Sequence, residues 1–328
     1  MKVLVVGGAG YIGSHCVYEL CEQGHEVYVI DNLQTGHLKA IHEKAHFFEG
    51  DIRDETFLDS FFDEIHVDGV IHFAANSLVQ ESMKNPIKYF NNNVHGTEVL
   101  LRSMCKHNIL KIVFSSTAAV YGEPKRIPIM EEDDTCPKNP YGESKLMMEK
   151  MMKWCDDAYN LKYVSLRYFN VAGAHHSGLI GEDHNPETHL IPLILQVPLG
   201  KKEKIVIFGN DYDTKDGTCI RDYIQIEDLI SAHIKALEYL MSGNESNIFN
   251  LGSEHGYSNL EMVEVAKKVT GKDINTVMGE RREGDPAKLI ASSEKAKKIL
   301  GWTPKYQSIE DIIASAWKFH CMNPNGLK

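Results

Sequence analysis

A doubly wound α/β fold is predicted by three features of this 328-residue sequence. Short apolar runs alternate with amphipathic stretches, a glycine-rich segment directly follows the first run, and a carboxylate ends the second. The runs at 2–6 (KVLVV), 26–30 (EVYVI), 45–50 (AHFFEG), 69–74 (GVIHFA), 111–116 (KIVFSS) and 162–169 (KYVSLRYF) read as strands. Between them, 11–23, 54–64, 86–107 and 140–158 read as helices. That alternation implies a parallel sheet with right-handed crossovers, the Rossmann-type arrangement.

After about residue 170 the rhythm breaks. Residues 173–225 are rich in Gly, Asp, His and Pro, with one predicted helix at 189–199, and long irregular segments of this kind usually carry function. A helix at 226–241, a strand at 247–251 returning to the sheet, and helices at 258–270 and 308–318 complete the reading. The expected organisation is a dinucleotide-binding domain over 1–170, joined by 226–251, and a smaller C-terminal substrate-binding domain from 171–225 and 252–328.

With 46 acidic against 35 basic side chains, a net charge of -11 and no long basic run, the chain is not built for nucleic acid or an anionic membrane. An anionic ligand must be held locally, by amides or a few arginines. The seven cysteines (16, 21, 105, 136, 155, 219 and 321) form no C-x-x-C pair, which fits reduced thiols in a cytoplasm. The opening MKVLVVGG is too short for a signal h-region, and no segment is long enough to span a bilayer.

In GGAGYIGSH (7–15), Gly7, Gly10 and Gly13 fall at the tight turn, the pyrophosphate approach and the helix–sheet contact of a dinucleotide loop. The second strand ends at Asp31, 18 residues beyond Gly13. A carboxylate there accepts from ribose hydroxyls and repels a 2′-phosphate, which selects NAD over NADP. Asn32 follows it, and no arginine does. Asp51, after the third strand, either brackets the adenine edge or caps the next helix.

Two segments, YGEPK (121–125) and YGESK (141–145), set a tyrosine four residues before a lysine. Pro124 forbids the first a regular helix, so Tyr121 and Lys125 belong to a loop. In NPYGESKLMMEKMM, Pro140 sits where a first helical turn accepts it, so Tyr141 and Lys145 share one face. A lysine so placed can stabilise the phenolate and make the tyrosine a useful base near neutral pH.

Glycine loop, Asp31, the hydroxyl-bearing strand end FSSTAAVYG and YGESK occur in an order that resembles the extended short-chain dehydrogenase/reductase family. HFAANSLVQES (72–82), YFNNNVHGT (89–97), RYFNVAGAH (167–175), GEDHNPETHLIP (181–192), FGNDYDTKDGTCIRDY (208–223), NLGS (250–253) and RREGDPA (281–287) extend the resemblance to its nucleotide-sugar 4-epimerases across nearly the whole chain. The resemblance implies inversion of UDP-galactose and UDP-glucose at C4. A bound NAD takes the hydride, a 4-keto sugar turns over, and the hydride returns. Tyr141 is then the acid/base, Lys145 its tuning partner and nicotinamide-ribose contact, and Thr117 the hydroxyl partner. Gly7, Gly10, Tyr11, Ile12, Gly13, Asp31, Asn32, Asp51, Ile52, Phe73, Ala74, Asn92, Ser115 and Tyr168 match cofactor positions. Ser77 stands where some relatives carry a lysine. For the nucleotide sugar the resemblance points to Asn170, His189, Leu190, Phe208, Arg221, Arg282 and Asp285, and it implies a homodimer. Arginines suit a diphosphate, although Arg221 in IRDY equally fits an ion pair with a neighbouring acid. Leu289 occupies the position whose size governs access of N-acetylated sugars, and it is neither the large tyrosine nor the small cysteine found there.

Ala118 and Ala119 follow Thr117 where dehydratase relatives carry an Asp-Glu pair, which speaks against elimination chemistry. HEKAH (42–46) spells a zinc-protease pattern, but His46 opens a strand, so the helix that pattern needs is missing. DYDTKDGTCIRD (211–222) departs from a calcium loop in its glycine position, Lys215 and final Asp. The other histidines show no ligand spacing, so no metal is expected.

Overall fold

The computed structural model describes residues 1–281 and 286–327. The N-terminal apolar run forms β1 (Lys2–Val6), buried at every residue after Lys2 and flanked by strands on both sides in the large sheet. Then come α1 (Tyr11–Glu22), β2 (Glu26–Asp31), β3 (His46–Glu49), α2 (Glu55–Glu64) and β4 (Gly69–His72). The helix predicted over 86–107 is divided. α3 (Val79–Lys84), unforeseen, precedes α4 (Pro86–Tyr89), a π-helical turn (Phe90–His95) and α5 (Gly96–Lys106). The break coincides with three consecutive asparagines, Asn91 to Asn93, of which Asn93 is drawn to Asn76 and Ser144.

β5 (Lys111–Ser115) leads through a 3₁₀ turn (Ala118–Val120) to α6 (Pro140–Tyr159) and β6 (Lys162–Tyr168). Asn139 caps α6 by accepting from Gly142 N at 2.9 Å, Pro140 fits the first turn, and Asn160 ends the helix in the left-handed region. β7 (Asn170–Ala172) comes just before the stretch read as irregular, which holds α7 (Leu190–Leu195), β8 (Ile205–Phe208) and β9 (Ile220–Gln225) and is followed by α8 (Ile226–Met241) and β10 (Asn247–Leu251). β11 (Gly256–Ser258), α9 (Asn259–Thr270), β12 (Thr276–Gly279), β13 (Lys288–Leu289), α10 (Glu294–Leu300) and α11 (Ile309–Met322) close the chain. The new strands escaped notice because they are two to six residues long and pair with distant segments: β9 lies between β11 and β13 and also pairs with β7.

The large sheet has seven parallel strands in the order β10-β6-β5-β4-β1-β2-β3, as the alternation predicted, with 247–251 at its edge beside β6. One apolar layer packs α1 and α8 against it around Val5, Leu229 and Trp302, and the other packs α2, α5 and α6 around Leu4, Leu100 and Phe114. A further cluster joins α7, α9 and α11 to β7, β8 and β9. The strand order reverses between β1 and β4, and ligands of such sheets bind outside the carboxyl ends at that reversal.

Candidate active site

The carboxyl ends of the strands carry most of the predicted cofactor residues. Gly7 leaves β1 with φ +82°, and a Cβ there would lie 2.5 Å from Ala74 N. A Cβ on Gly13 would meet Gly7 O at 2.1 Å, so α1 can cross the loop this closely only with glycine. Gly10 is crowded by nothing nearer than 3.5 Å; it starts α1 with no side-chain cap, which leaves the first-turn amides of Tyr11 and Ile12 facing outward for an anion. Phe73 and Ala74 follow β4, their amides donating to Val6 O at 2.8 and 3.1 Å.

Asp31 ends β2 and accepts from Ala9 N at 3.0 Å and Leu33 N at 2.8 Å, which locks the carboxylate against the glycine loop; burial raises its pKa. Asp51 is not the cap of α2: Asp54 is, accepting from Phe57 N. Asp51 instead accepts from Asn32 Nδ2 at 3.0 Å and from Arg53, whose guanidinium holds the carboxyl well below its usual range. Ile52 beside it is buried. Asn92 lies in the π-helical turn, a feature common at functional sites. Its neighbour Asn93, which the sequence reading passed over, donates to Ser144 Oγ and to Asn76 O, each at 3.0 Å, tying that turn to α6 and to the loop after β4. Ser77 is exposed in that loop.

Thr117 leaves β5, and Tyr141 enters on the first turn of α6. Burial raises the Tyr141 pKa, and a hydrogen bond with Thr117 opposes the rise. Lys145 is 3% exposed; its Nζ donates to Ser115 O at 2.8 Å and lies 4.8 Å from the centre of the Phe114 ring. Burial pulls its pKa down to about 7 against the pull of Glu149. Lys145 Nζ is held on the Ser115 carbonyl, and burial is the largest influence on the Tyr141 phenol. Tyr168, at the end of β6, hydrogen-bonds Ser115 Oγ and is close enough to Tyr141 that each charge opposes the other.

The other near-copy behaves as its proline demanded. Tyr121 ends the 3₁₀ turn, buried, donating to Asn250 Oδ1 at 2.7 Å and accepting from Arg167 Nη1 at 2.9 Å, while Lys125 is exposed and pairs with Asp134. Arg167 also binds Glu149 at 2.6 Å, a pair 4% exposed on both sides.

Of the predicted substrate residues, Asn170 pairs with Tyr223 across β7 and β9, and Arg221 lies opposite Leu289 of β13. Arg221 Nη1 donates to Ile220 O and Pro286 O. The neighbouring acid, Asp222, accepts from Ser253 N and Oγ, Glu254 N and Ala291 N, and burial raises its pKa to about 6. Leu289 packs on the cluster of Tyr121 and Leu146, next to the helix that carries Tyr141. Phe208 ends β8, and His189 and Leu190 open α7, a helix shorter than predicted. Arg282 and Asp285 lie outside the described residues. His189 turns its imidazole to Glu182 and Glu187, and His184 lies with them, a grouping the spacing of the histidines did not suggest. Its signal was E-x-H-x-x-E-x-H across 182–189.

His46 opens β3 and stacks on Tyr28, and His42 meets Tyr18, so HEKAH forms no helix. Asp211, Asp216 and Asp222 of the supposed calcium loop bind Arg281, Thr218 and the 253–254 turn respectively.

Fold, glycine loop and the Tyr141–Lys145 helix define an extended short-chain dehydrogenase/reductase, and residues 4–315 match the family model described as GDP-mannose 4,6 dehydratase. Within that class the chain belongs to the UDP-glucose 4-epimerase family. A UDP-glucose 4-epimerase of Lacticaseibacillus casei is 58% identical over 326 residues, covering 99% of this chain and 98% of that one. A crystal structure of a UDP-glucose 4-epimerase superposes with a TM-score of 0.98 at 53% identity, covering 99% of both chains. That of Bifidobacterium longum, solved with NAD+ and UDP, gives 0.94 at 40% identity, covering 99% of this chain and 100% of that one.

Proposed function

We propose that this chain interconverts UDP-galactose and UDP-glucose by inversion at C4, with NAD resident in the site. The convergence of Thr117, Tyr141 and Lys145 at the carboxyl end of β5, beside the glycine loop and Asp31, carries the reading. The packing at Gly7 and Gly13, the uncapped start of α1 and the Asp31 carboxylate suit a dinucleotide without a 2′-phosphate. NAD, when bound, accepts hydride from sugar C4 and returns it, so the reaction has no net redox.

Tyr141 exchanges the proton of the sugar 4-hydroxyl, Thr117 holds that hydroxyl and the phenol in line, and Lys145 supplies positive charge to the phenolate. Gly10, Tyr11, Ile12, Asn32, Asp51, Ile52, Phe73, Ala74, Asn92, Ser115 and Tyr168 complete the cofactor contacts. Asn170, Leu190, Phe208 and Arg221, with His189 alongside and Arg282 and Asp285, hold the nucleotide sugar. Ala118 and Ala119 occupy the turn after Thr117, so no acid/base pair for dehydration is supplied there. The proposed division sets a cofactor domain (1–170 with 226–251) beside a substrate domain built around the cluster of α7, α9 and α11, although α10 and Trp302 pack on the large sheet's own cluster.

A homodimer is supported by Met83, Ile87, Met147 and Trp154, apolar side chains exposed on α3, α4 and α6, helices that pack together. A cytoplasmic setting and a role in galactose metabolism accord with seven unpaired cysteines and the substrate pair. Among the described residues no helix is long and apolar enough to cross a membrane. Purified protein given UDP-galactose without added NAD is expected to form UDP-glucose; no conversion, with NAD found in the protein, overturns the reading. A parallel incubation with UDP-N-acetylgalactosamine tests the second reading, for which Leu289, intermediate in size beside α6, leaves room.

A further inference from the structure

We propose that Glu182, His184, Glu187 and His189 bind a divalent transition-metal cation of the zinc class, which fastens the loop between β7 and α7 beside the cofactor loop. Each residue offers one ligand atom, and the four atoms lie within 4.8 Å of one another. His189 Nδ1 is 2.7 Å from Glu182 Oε1 and 3.2 Å from Glu187 Oε1. His184 Nδ1 is 3.2 Å from Glu182 Oε1 and 3.8 Å from Glu187 Oε2. Around a tetrahedral ion with bonds of about 2.0–2.1 Å, ligand atoms stand about 3.3 Å apart, and the separations here bracket that value.

A second observation points the same way. His184 Nδ1 is itself buried, although its ring is 28% exposed, and it faces Glu182 Oε1 at 3.2 Å and Glu187 Oε2 at 3.8 Å without the alignment of a good hydrogen bond. An orphaned buried nitrogen is costly in a protein and is what a metal bond would satisfy. Both glutamate side chains are more than nine-tenths buried, at 5% and 8% exposed, and without an ion their charge is met only by the imidazoles of His184 and His189. Two carboxylates and two neutral imidazoles sum to a charge of about -2, the complement of a divalent ion. Mixed nitrogen and oxygen donors favour zinc and its neighbours over calcium or magnesium, which prefer oxygen alone.

Four protein ligands make a closed site, whose role is structural. The ion would join two parts of the molecule. The His184 ring lies edge-on to Tyr11, the first residue of α1, at 6.1 Å, and Tyr11 Oη donates to Gly173 O at 2.7 Å. His189 precedes Leu190 at the start of α7. A cleft of about 50 Å³, lined by Glu182, His184, Glu187, Lys201, His320 and Asn323, opens the site to solvent ions. Assigning the His189 imidazole to the metal leaves Leu190 as the contribution of α7 to the nucleotide sugar; the metal site itself does not rest on the epimerase reading.

The test uses untagged full-length protein, expressed in zinc-supplemented medium and purified without chelator. Mass spectrometry of the metal content is expected to show about one zinc-class ion per chain. His184→Ala and the near-isosteric Glu187→Gln should each bring that close to zero. Chelation should lower the melting temperature of the wild type, added Zn2+ should restore it, and Co2+ should give the visible absorption of a tetrahedral site. Glu187→Gln, which keeps its shape, should melt cooperatively and respond to none of these. The proposal is overturned by a metal-free wild type whose melting neither Zn2+ nor Co2+ moves at about tenfold excess. It is equally overturned by variants that keep the ion, which would place it elsewhere.

Discussion

Tyr141 and Tyr121 sit in near-identical pentapeptides, yet one begins a helix and the other ends a 3₁₀ turn inside the core. Replacing Tyr141 with Phe removes the proposed proton carrier and little packing; turnover of UDP-galactose is expected to fall by about 100- to 10,000-fold, in a coupled assay for UDP-glucose, with the fold unchanged. Retained turnover would take the acid/base role away from Tyr141, whereas a wild type that holds NAD and turns over no sugar nucleotide would point to a dinucleotide-sensing protein that uses this fold without this chemistry. Lys145 makes a different statement. Its pKa is lowered to about 7 in the fold, below the ordinary lysine value of about 10.4, so the unfolded chain binds more protons between those limits. The cofactor-free protein should therefore gain stability as pH rises from about 7 to about 10, with a slope of up to about 1.4 kcal/mol per pH unit from this group. Lys145→Met should lose that slope and most of the turnover together, read by urea unfolding at a series of pH values.

At the level of elements, α6 is held by more than its own propensity. Glu149, one turn beyond Lys145, pairs with Arg167 of β6 and accepts from Ser116, and Arg167 reaches Tyr121. Arg167→Met should cost about 3–5 kcal/mol in urea unfolding, because it strands a buried carboxylate, and adding Glu149→Leu should recover most of that loss. None of this network was legible beforehand, since its members lie 18 to 129 residues apart. The helix itself was legible, because asparagine cap, proline in the first turn and strong helix formers all agree locally. The break at Phe90–His95 went unseen for the opposite reason: the apolar period continues through it, and only Asn93, drawn to Ser144 and Asn76, shows why the backbone yields.

Across the whole molecule, the reversal of strand order between β1 and β4 gathers residues from 7 to 168 at one edge of the sheet. The helices on one side leave Ile87 at 73% and Trp154 at 69% exposure, the apolar surface on which the proposed homodimer rests. Ile87→Glu combined with Met147→Glu should convert a dimer to a monomer in light scattering, without moving the site residues. A wild type that is itself monomeric at micromolar concentration removes the dimer from the reading.

By itself the sequence determined the alternating fold, the glycine loop, Asp31 at the end of β2 and the helix that begins at Tyr141 and not at Tyr121, because each rests on residues within a few positions of one another. Only the tertiary structure decided that Asp51 serves Asn32 and Arg53 rather than a helix, that Lys145 is desolvated against Ser115, and that Asp222 braces the 253–254 turn and Ala291. Those contacts join segments far apart in the chain, and a charge's environment is set by what folds around it. The four residues from Glu182 to His189 mark the boundary. Their order could be read, but that their donor atoms meet depended on how an irregular loop closes upon itself.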